Sequence, residues 1–174
     1  RITEEKGVPT MLRAMAQLPS SLDWCLALVG TGDHTDAFRA LAADLGIADR
    51  LVWVGYVEHT EAPHYLSAFD VLVLPSETQP TWKEQFGRVI VEALACETPV
   101  VGTNSGEIPR LLRRTEGGVV VEERDPTSLA SGLQSLAESP QRRRRLAVQG
   151  AGYVRDHLTH RALAVQFAEA IERA

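Results

Sequence analysis

Apolar and polar positions follow two periods along this chain. Short apolar runs occupy residues 24–29, 51–54, 71–74, 100–101 and 119–121. They are rich in valine and leucine and apolar at successive positions, which predicts strands of a parallel sheet covered on both faces. Between them, residues 8–18, 35–45, 62–69, 87–95 and 108–113 carry apolar side chains at helical spacing. These predict amphipathic helices. Three more helices are predicted at 126–138, 141–157 and 161–173. Strand and helix in alternation predict a Rossmann-like α/β fold, a three-layer sandwich around a parallel sheet. No internal repeat or low-complexity segment interrupts the pattern.

Turn residues fall where this architecture places its ligand crevice. Gly30-Thr31-Gly32 follows the first apolar run, Pro75-Ser76 the third, and Gly102-Thr103-Asn104-Ser105-Gly106 the fourth. In an open parallel sheet, ligands bind beside the loops at the carboxyl ends of strands. Any one such loop is equally well read as a tight turn. Three at matched strand ends favour a site.

Composition narrows the class. The 174 residues suit one domain, residues 1–174, with a sizeable core. A formal charge of -5 argues against a nucleic-acid partner. The one basic run, Arg142 to Arg145, follows the helix-start signal Ser139-Pro140 and reads as a solvated helix face. No apolar run is long enough for a transmembrane segment, and the opening residues lack the features of a signal peptide. Arg1 to Lys6 reads as a loop cut from something longer. A cytoplasmic location is expected, with the membrane surface open to the full-length protein. Cys25 and Cys96 both lie in apolar stretches and are expected to be buried, reduced thiols. His34, His59, His64, His157 and His160 share no metal-ligand spacing; His34 reads as a helix-start residue. Nucleophile elbow, P-loop and full dinucleotide fingerprint are all missing from the sequence.

The strongest chemical candidate is the stretch Glu84-Gln85-Phe86-Gly87-Arg88-Val89-Ile90-Val91-Glu92. Glu84 is expected in a loop above the sheet, with Glu92 on the helix that follows. Arg88 stands four residues before Glu92, so the two share a helix face. Gly87 permits close approach to the backbone. The N–H groups at the helix start can hold an anion such as a phosphate. Two carboxylates there can accept hydrogen bonds from the hydroxyls of a sugar and a ribose. Spacing by itself favours a surface glutamate and a capped helix over a site.

The wider pattern resembles a known family. Glu84 and Glu92 form an E-x7-E pattern, followed by Ala93-Leu94-Ala95 and Thr98-Pro99-Val100-Val101, preceded by Pro75-Ser76, and succeeded by Ser105-Gly106-Glu107-Ile108-Pro109. With Arg1 and Lys6 at the start, this order resembles the C-terminal domain of retaining GT-B glycosyltransferases of the glycosyl transferases group 1, or family 4, type. The resemblance implies that Arg1 and Lys6 hold the diphosphate of a nucleotide-sugar donor. It implies that Glu84 contacts the donor sugar and that Glu92 binds the ribose. It places the backbone of Phe86, Gly87, Arg88 and Val89 beside the sugar and phosphates, Gly30 and Gly32 at the nucleotide crevice, and Val57 near the base.

Those roles agree with the chemistry. Cleaving a glycosyl phosphate leaves negative charge on a nucleoside diphosphate, and fixed cations stabilise it in the transition state. The resemblance therefore implies a metal-independent enzyme without a cofactor, whose partners are a UDP-, GDP- or ADP-sugar and an acceptor. The acceptor, a sugar, lipid or small molecule, would be bound mainly by an N-terminal domain outside this chain, so these residues alone would be inactive. Relatives also carry a strand directly before the Arg1 position. Glu107 departs from the family's common second glycine and reads as an exposed variant. Residues 77–83, with Pro80 and Trp82, are expected to form a flexible loop over the sugar; Trp82 either stacks on ligand or covers local apolar surface. A noncatalytic nucleotide-sugar-binding domain and a GT-B nucleotide-sugar epimerase are the alternative readings. Intact Lys6, Glu84 and Glu92 speak against a decayed site.

Overall fold

The structure is a computed structural model that describes residues 2–172. The predicted alternation is present throughout. The order is α1 (Val8–Met15), β1 (Leu26–Val29), α2 (Thr35–Asp44), β2 (Leu51–Gly55), α3 (Ala62–Ala68), β3 (Leu72–Leu74), α4 (Arg88–Ala95), β4 (Val100–Thr103), α5 (Ile108–Thr115), β5 (Gly118–Val121), α6 (Pro126–Ala137), α7 (Pro140–His157) and α8 (His160–Glu172). A short 3-10 turn, Ala48–Arg50, leads into β2.

Among the described residues the five strands pair in parallel. β1 pairs with β2, in register from Leu26 opposite Leu51. β3, β4 and β5 pair in that order, with Leu72 opposite Val100 and Val100 opposite Gly118. The expected single sheet is thus divided. Among the described residues β1 and β3 do not pair with each other. Both line a largely apolar cleft of about 1010 Å3 that lies between them.

Strand alternation builds the three layers. In β4, Val101 points into a core with α1, α2 and α6, including Leu12, Phe38, Leu129 and Leu136. Its neighbour Val100 points the other way, into a core with Leu74, Ile90 and Leu94 of α4, Ile108 and Leu112 of α5, and Val154 of α7. Successive strand side chains face opposite sides, so one strand of consecutive valines serves both cores. Val100 and Val101 are both fully buried.

Local signals set the starts of α6 and α7. Asp125 accepts hydrogen bonds from the N–H groups of Thr127 and Ser128, and Ser139 accepts from that of Arg142. Proline follows each cap, where its fixed φ suits the first helical turn. α1 ends earlier than expected. The N–H groups of Gln17 and Leu18 turn to the carbonyls of Ala14 and Met15, tightening the chain before Pro19. β1 also starts later than expected, at Leu26, so Cys25 is exposed rather than buried. Cys96 caps α4 and is half-buried. None of the described helices is long and apolar enough to cross a membrane.

Candidate functional site

Four separate segments meet at the carboxyl end of β3: the loop before α1, residues 75–77, the loop before α4, and α4 itself. Two backbone contacts bring the loops together. Gly7 has φ 67°, and a β-carbon there would fall 1.8 Å from the carbonyl oxygen of Pro75. Only glycine allows the Lys6–Gly7 turn to lie on the end of β3. The Glu77 N–H donates to the Glu5 carbonyl at 2.9 Å, tying the same turn from its other side. Across the site, the Glu107 N–H donates to the Glu84 carbonyl at 3.0 Å. The main chains that carry Lys6 and Glu84 are therefore positioned independently of their side chains.

The two side chains then meet. Lys6 Nζ donates to Glu84 Oε2 at 2.6 Å, and Ser76 Oγ donates to the same oxygen at 3.1 Å. Ser76 is fully buried. The Lys6 and Glu84 side chains are 23% and 13% exposed, so a ligand can still reach them. The Trp82 ring lies over the Lys6 ammonium, 4.8 Å from nitrogen to ring centroid, a cation–π contact. The loop carrying Trp82 is anchored rather than free. Gln79 and Trp82 exchange backbone hydrogen bonds at 2.7 and 3.2 Å. The Thr78 N–H donates to the Glu123 carboxylate, and the Arg124 guanidinium donates to the Thr78 carbonyl.

α4 supplies the second half of the site. Gly87 caps it in the left-handed region, with φ 70°, and no side chain caps its first turn. An uncapped helix start presents N–H groups and the positive end of the helix dipole to the cleft, which favours an anion. Glu92 lies about one turn along, four residues after Arg88, with its side chain 32% exposed and Arg88 at 3.5 Å. Burial pushes the Cys96 thiol pKa up, and the negative charge of Glu92 raises it further.

Lys6, Glu84, Gly87, Arg88, Val89 and Glu92 line the same cleft. The other candidates stand apart from that lining. Phe86 is 52% exposed. Gly30 donates its N–H to the Gly55 carbonyl at 2.7 Å. Gly32 packs under Ile2, where a β-carbon would fall 1.7 Å from the Ile2 carbonyl oxygen. Val57 is half-buried just beyond β2. Arg1 lies outside the described residues. His34 is the residue before α2, 3.5 Å from Glu4. Glu107 pairs at 3.1 Å with Arg110 on the surface. In the basic run, Arg143 donates to the Leu136 and Ala137 carbonyls at 2.6 and 2.8 Å, closing the end of α6.

Sequence reasoning missed the parts played by Ser76 and Trp82. The Pro75-Ser76 pair was visible as a strand-end signal, yet nothing in it foretold a hydroxyl aimed at Glu84. The chemical capacity of the whole is now definite. An ammonium and a helix N-terminus are suited to an anion, and the Glu84 and Glu92 carboxylates are suited to hydroxyl donors.

The family model described as glycosyl transferases group 1 matches residues 1–152. A lipopolysaccharide core biosynthesis glycosyltransferase of Rhizobium meliloti is 34% identical over 150 residues, which is 86% of this chain and 41% of the relative. A GDP-mannose-dependent phosphatidylinositol monomannoside mannosyltransferase of Mycolicibacterium smegmatis is 29% identical over 172 residues, 97% of this chain and 45% of the relative. Among solved structures, sucrose-phosphate synthase of Thermosynechococcus elongatus matches with TM-score 0.83 and 30% identity, covering 99% of this chain and 43% of that one. Anabaena HepE, solved with UDP, has TM-score 0.85 at 24% identity over 100% of this chain and 47% of its own. That likeness shows a shared Rossmann-like fold. This chain spans less than half the length of these relatives. With the family pattern covering well over half of its residues, the chain belongs to the glycosyl transferases group 1 family.

Proposed function

We propose that these residues form the donor-binding part of a retaining hexosyltransferase that uses a UDP-, GDP- or ADP-sugar. The observation that carries this reading is the contact of Lys6 with Glu84 beside the uncapped start of α4. It puts a cation and a hydroxyl acceptor within one ligand's reach. In this reading Lys6 and the α4 N–H groups hold the diphosphate. As the glycosyl–phosphate bond breaks, negative charge grows on the departing oxygen, and the fixed ammonium stabilises it more than it stabilises the ground state. Glu84 accepts hydrogen bonds from the donor sugar, and Glu92 from the ribose. Arg1 would add a second cation at the diphosphate. The cations take on the role a metal ion plays elsewhere, so the reading requires no metal.

The relatives named for lipopolysaccharide core and phosphatidylinositol mannoside synthesis support a carbohydrate- or lipid-linked acceptor. The acceptor site and the remaining catalytic groups belong to parts of the protein outside these residues. The isolated chain is accordingly expected to bind nucleotide without transferring sugar.

Calorimetric titration of UDP, GDP and ADP tests this directly. One of the three should bind in the micromolar to millimolar range, and Glu92→Ala should weaken it about tenfold or more, the loss of a charged hydrogen-bond acceptor. If none binds and Glu92→Ala changes nothing, the assignment fails. Sugar transfer by the 174-residue chain alone would overturn the expected inactivity.

A further inference from the structure

The central contact of the site is internal: the cation suited to a ligand phosphate is already occupied by Glu84 at 2.6 Å. We propose that the Lys6–Glu84 ion pair is an exchangeable latch, in which the Glu84 carboxylate holds the ammonium until a diphosphate displaces it. This rests on the donor-binding reading above and adds an order to it. Until the diphosphate arrives, Glu84 is engaged by Lys6 and is a poor acceptor for sugar hydroxyls. The diphosphate frees it, so sugar recognition depends on diphosphate recognition.

Three observations support exchange. First, the backbone of each partner is held by other contacts: Gly7 against Pro75 on one side, and the Glu107 N–H to the Glu84 carbonyl on the other. Breaking the pair therefore needs only side-chain rotation, not loop movement. Second, each residue retains a partner when the pair parts. Ser76 Oγ remains at 3.1 Å to receive Glu84, and the Trp82 ring remains over the ammonium. Neither charge is left buried and unsolvated, the condition that makes breaking a buried pair costly. Third, the incoming ligand has an advantage that Glu84 lacks. A diphosphate can meet Lys6 and the uncapped start of α4 together, because Lys6, Gly87 and Arg88 line one cleft. The Glu84 carboxylate instead meets the ammonium and the Ser76 hydroxyl.

Inorganic pyrophosphate is the probe, since it carries the anion without base or sugar. Glu84→Gln keeps the size of the side chain and an oxygen for Ser76 while removing the competing charge. Calorimetry on the 174-residue chain should show pyrophosphate binding about threefold to tenfold tighter in Glu84→Gln, the scale of one partly exposed ion pair. Lys6→Met should abolish that binding. If Lys6→Met binds pyrophosphate as well as the unsubstituted chain does, the donor-site reading itself fails. If Lys6→Met loses binding but Glu84→Gln gains none, the site stands and the latch is overturned.

A second measurement needs no change at Glu84. Saturating pyrophosphate should alter tryptophan emission in the unsubstituted chain as Lys6 shifts beneath Trp82, and Trp82→Phe should remove that response. Unchanged emission at saturation overturns the latch even if Glu84→Gln fails to fold.

Discussion

Gly106 lies directly against Glu84: a β-carbon at Gly106 would stand 1.9 Å from the Glu84 carbonyl oxygen. This approach, with the hydrogen bond from the Glu107 N–H, holds the loop that carries the site's central carboxylate. Gly106 also has φ 54°, which disfavours any larger residue. Gly106→Ala is expected to push Glu84 away from Lys6 and to destabilise the fold by about 2 kcal/mol. Denaturant unfolding would measure the stability and pyrophosphate titration the site. An unchanged midpoint together with unchanged binding would show that the close approach is unimportant.

Ser76 tests the other support of Glu84. Its hydroxyl is buried and donates to Oε2, while its carbonyl accepts from the Thr103 hydroxyl. Ser76→Ala removes only the first bond. The expected result is a loss of about 1 kcal/mol in stability and a several-fold loss in nucleotide-sugar affinity. Ser76→Thr, which restores a hydroxyl, should recover part of the affinity if the bond and not the packing is responsible.

The two cysteines differ in exposure, which gives a chemical readout of the fold. Cys25 is exposed, so it should react first with a thiol-alkylating reagent. Cys96 should react slowly, because burial and then Glu92 raise its thiol pKa and suppress the thiolate. Glu92→Gln removes the smaller of these causes and should speed Cys96 alkylation modestly, without making it match Cys25. Mass spectrometry of timed samples distinguishes the two sites. The sign of the pH effect follows from the same shift. The folded chain keeps the Cys96 proton to higher pH than the unfolded chain does. Its contribution to stability is thus full below the unfolded thiol's pKa, and is lost as pH rises through the folded value. Cys96→Ser should flatten the decline in melting temperature on the alkaline side.

Asp125 is a test of the fold through a helix cap, directly after the Glu123 and Arg124 that anchor the Trp82 loop. Its carboxylate accepts at 2.9 and 3.0 Å from the N–H groups of Thr127 and Ser128 at the start of α6. Asp125→Ala should cost about 1 kcal/mol. Nucleotide binding should change less than stability does, since the capping bonds are made within the first turn of α6. A loss of binding without loss of stability would indicate coupling between the two cores.

Much of this architecture was legible from residue order. Helix and strand periods, the Ser139-Pro140 start, the glycines at strand ends and the E-x7-E spacing are properties of short stretches. Short stretches determine dihedral preferences, caps and apolar faces, so α7 begins at Pro140, one residue before the expected 141, and Glu92 falls on α4. The ends that were misread, at Leu18 and Cys25, were decided by a neighbouring proline turn and by where β2 pairs.

What only the tertiary structure decided is who meets whom. Lys6 and Glu84 are 78 positions apart, and no local period relates them. Their contact depends on Gly7 reaching Pro75 and on Gly106 reaching Glu84, two approaches of a kind set by packing. The same holds for Trp82 above the ammonium and Ser76 beneath the carboxylate. It holds also for the division of the sheet between β1 and β3, since strand pairing depends on the distances at which helices settle on both faces. From the sequence alone came the kind of fold and the residue types a donor would need. The assembled site, and the fact that its cation is held by its own carboxylate, follow from long-range packing that no stretch of sequence encodes locally.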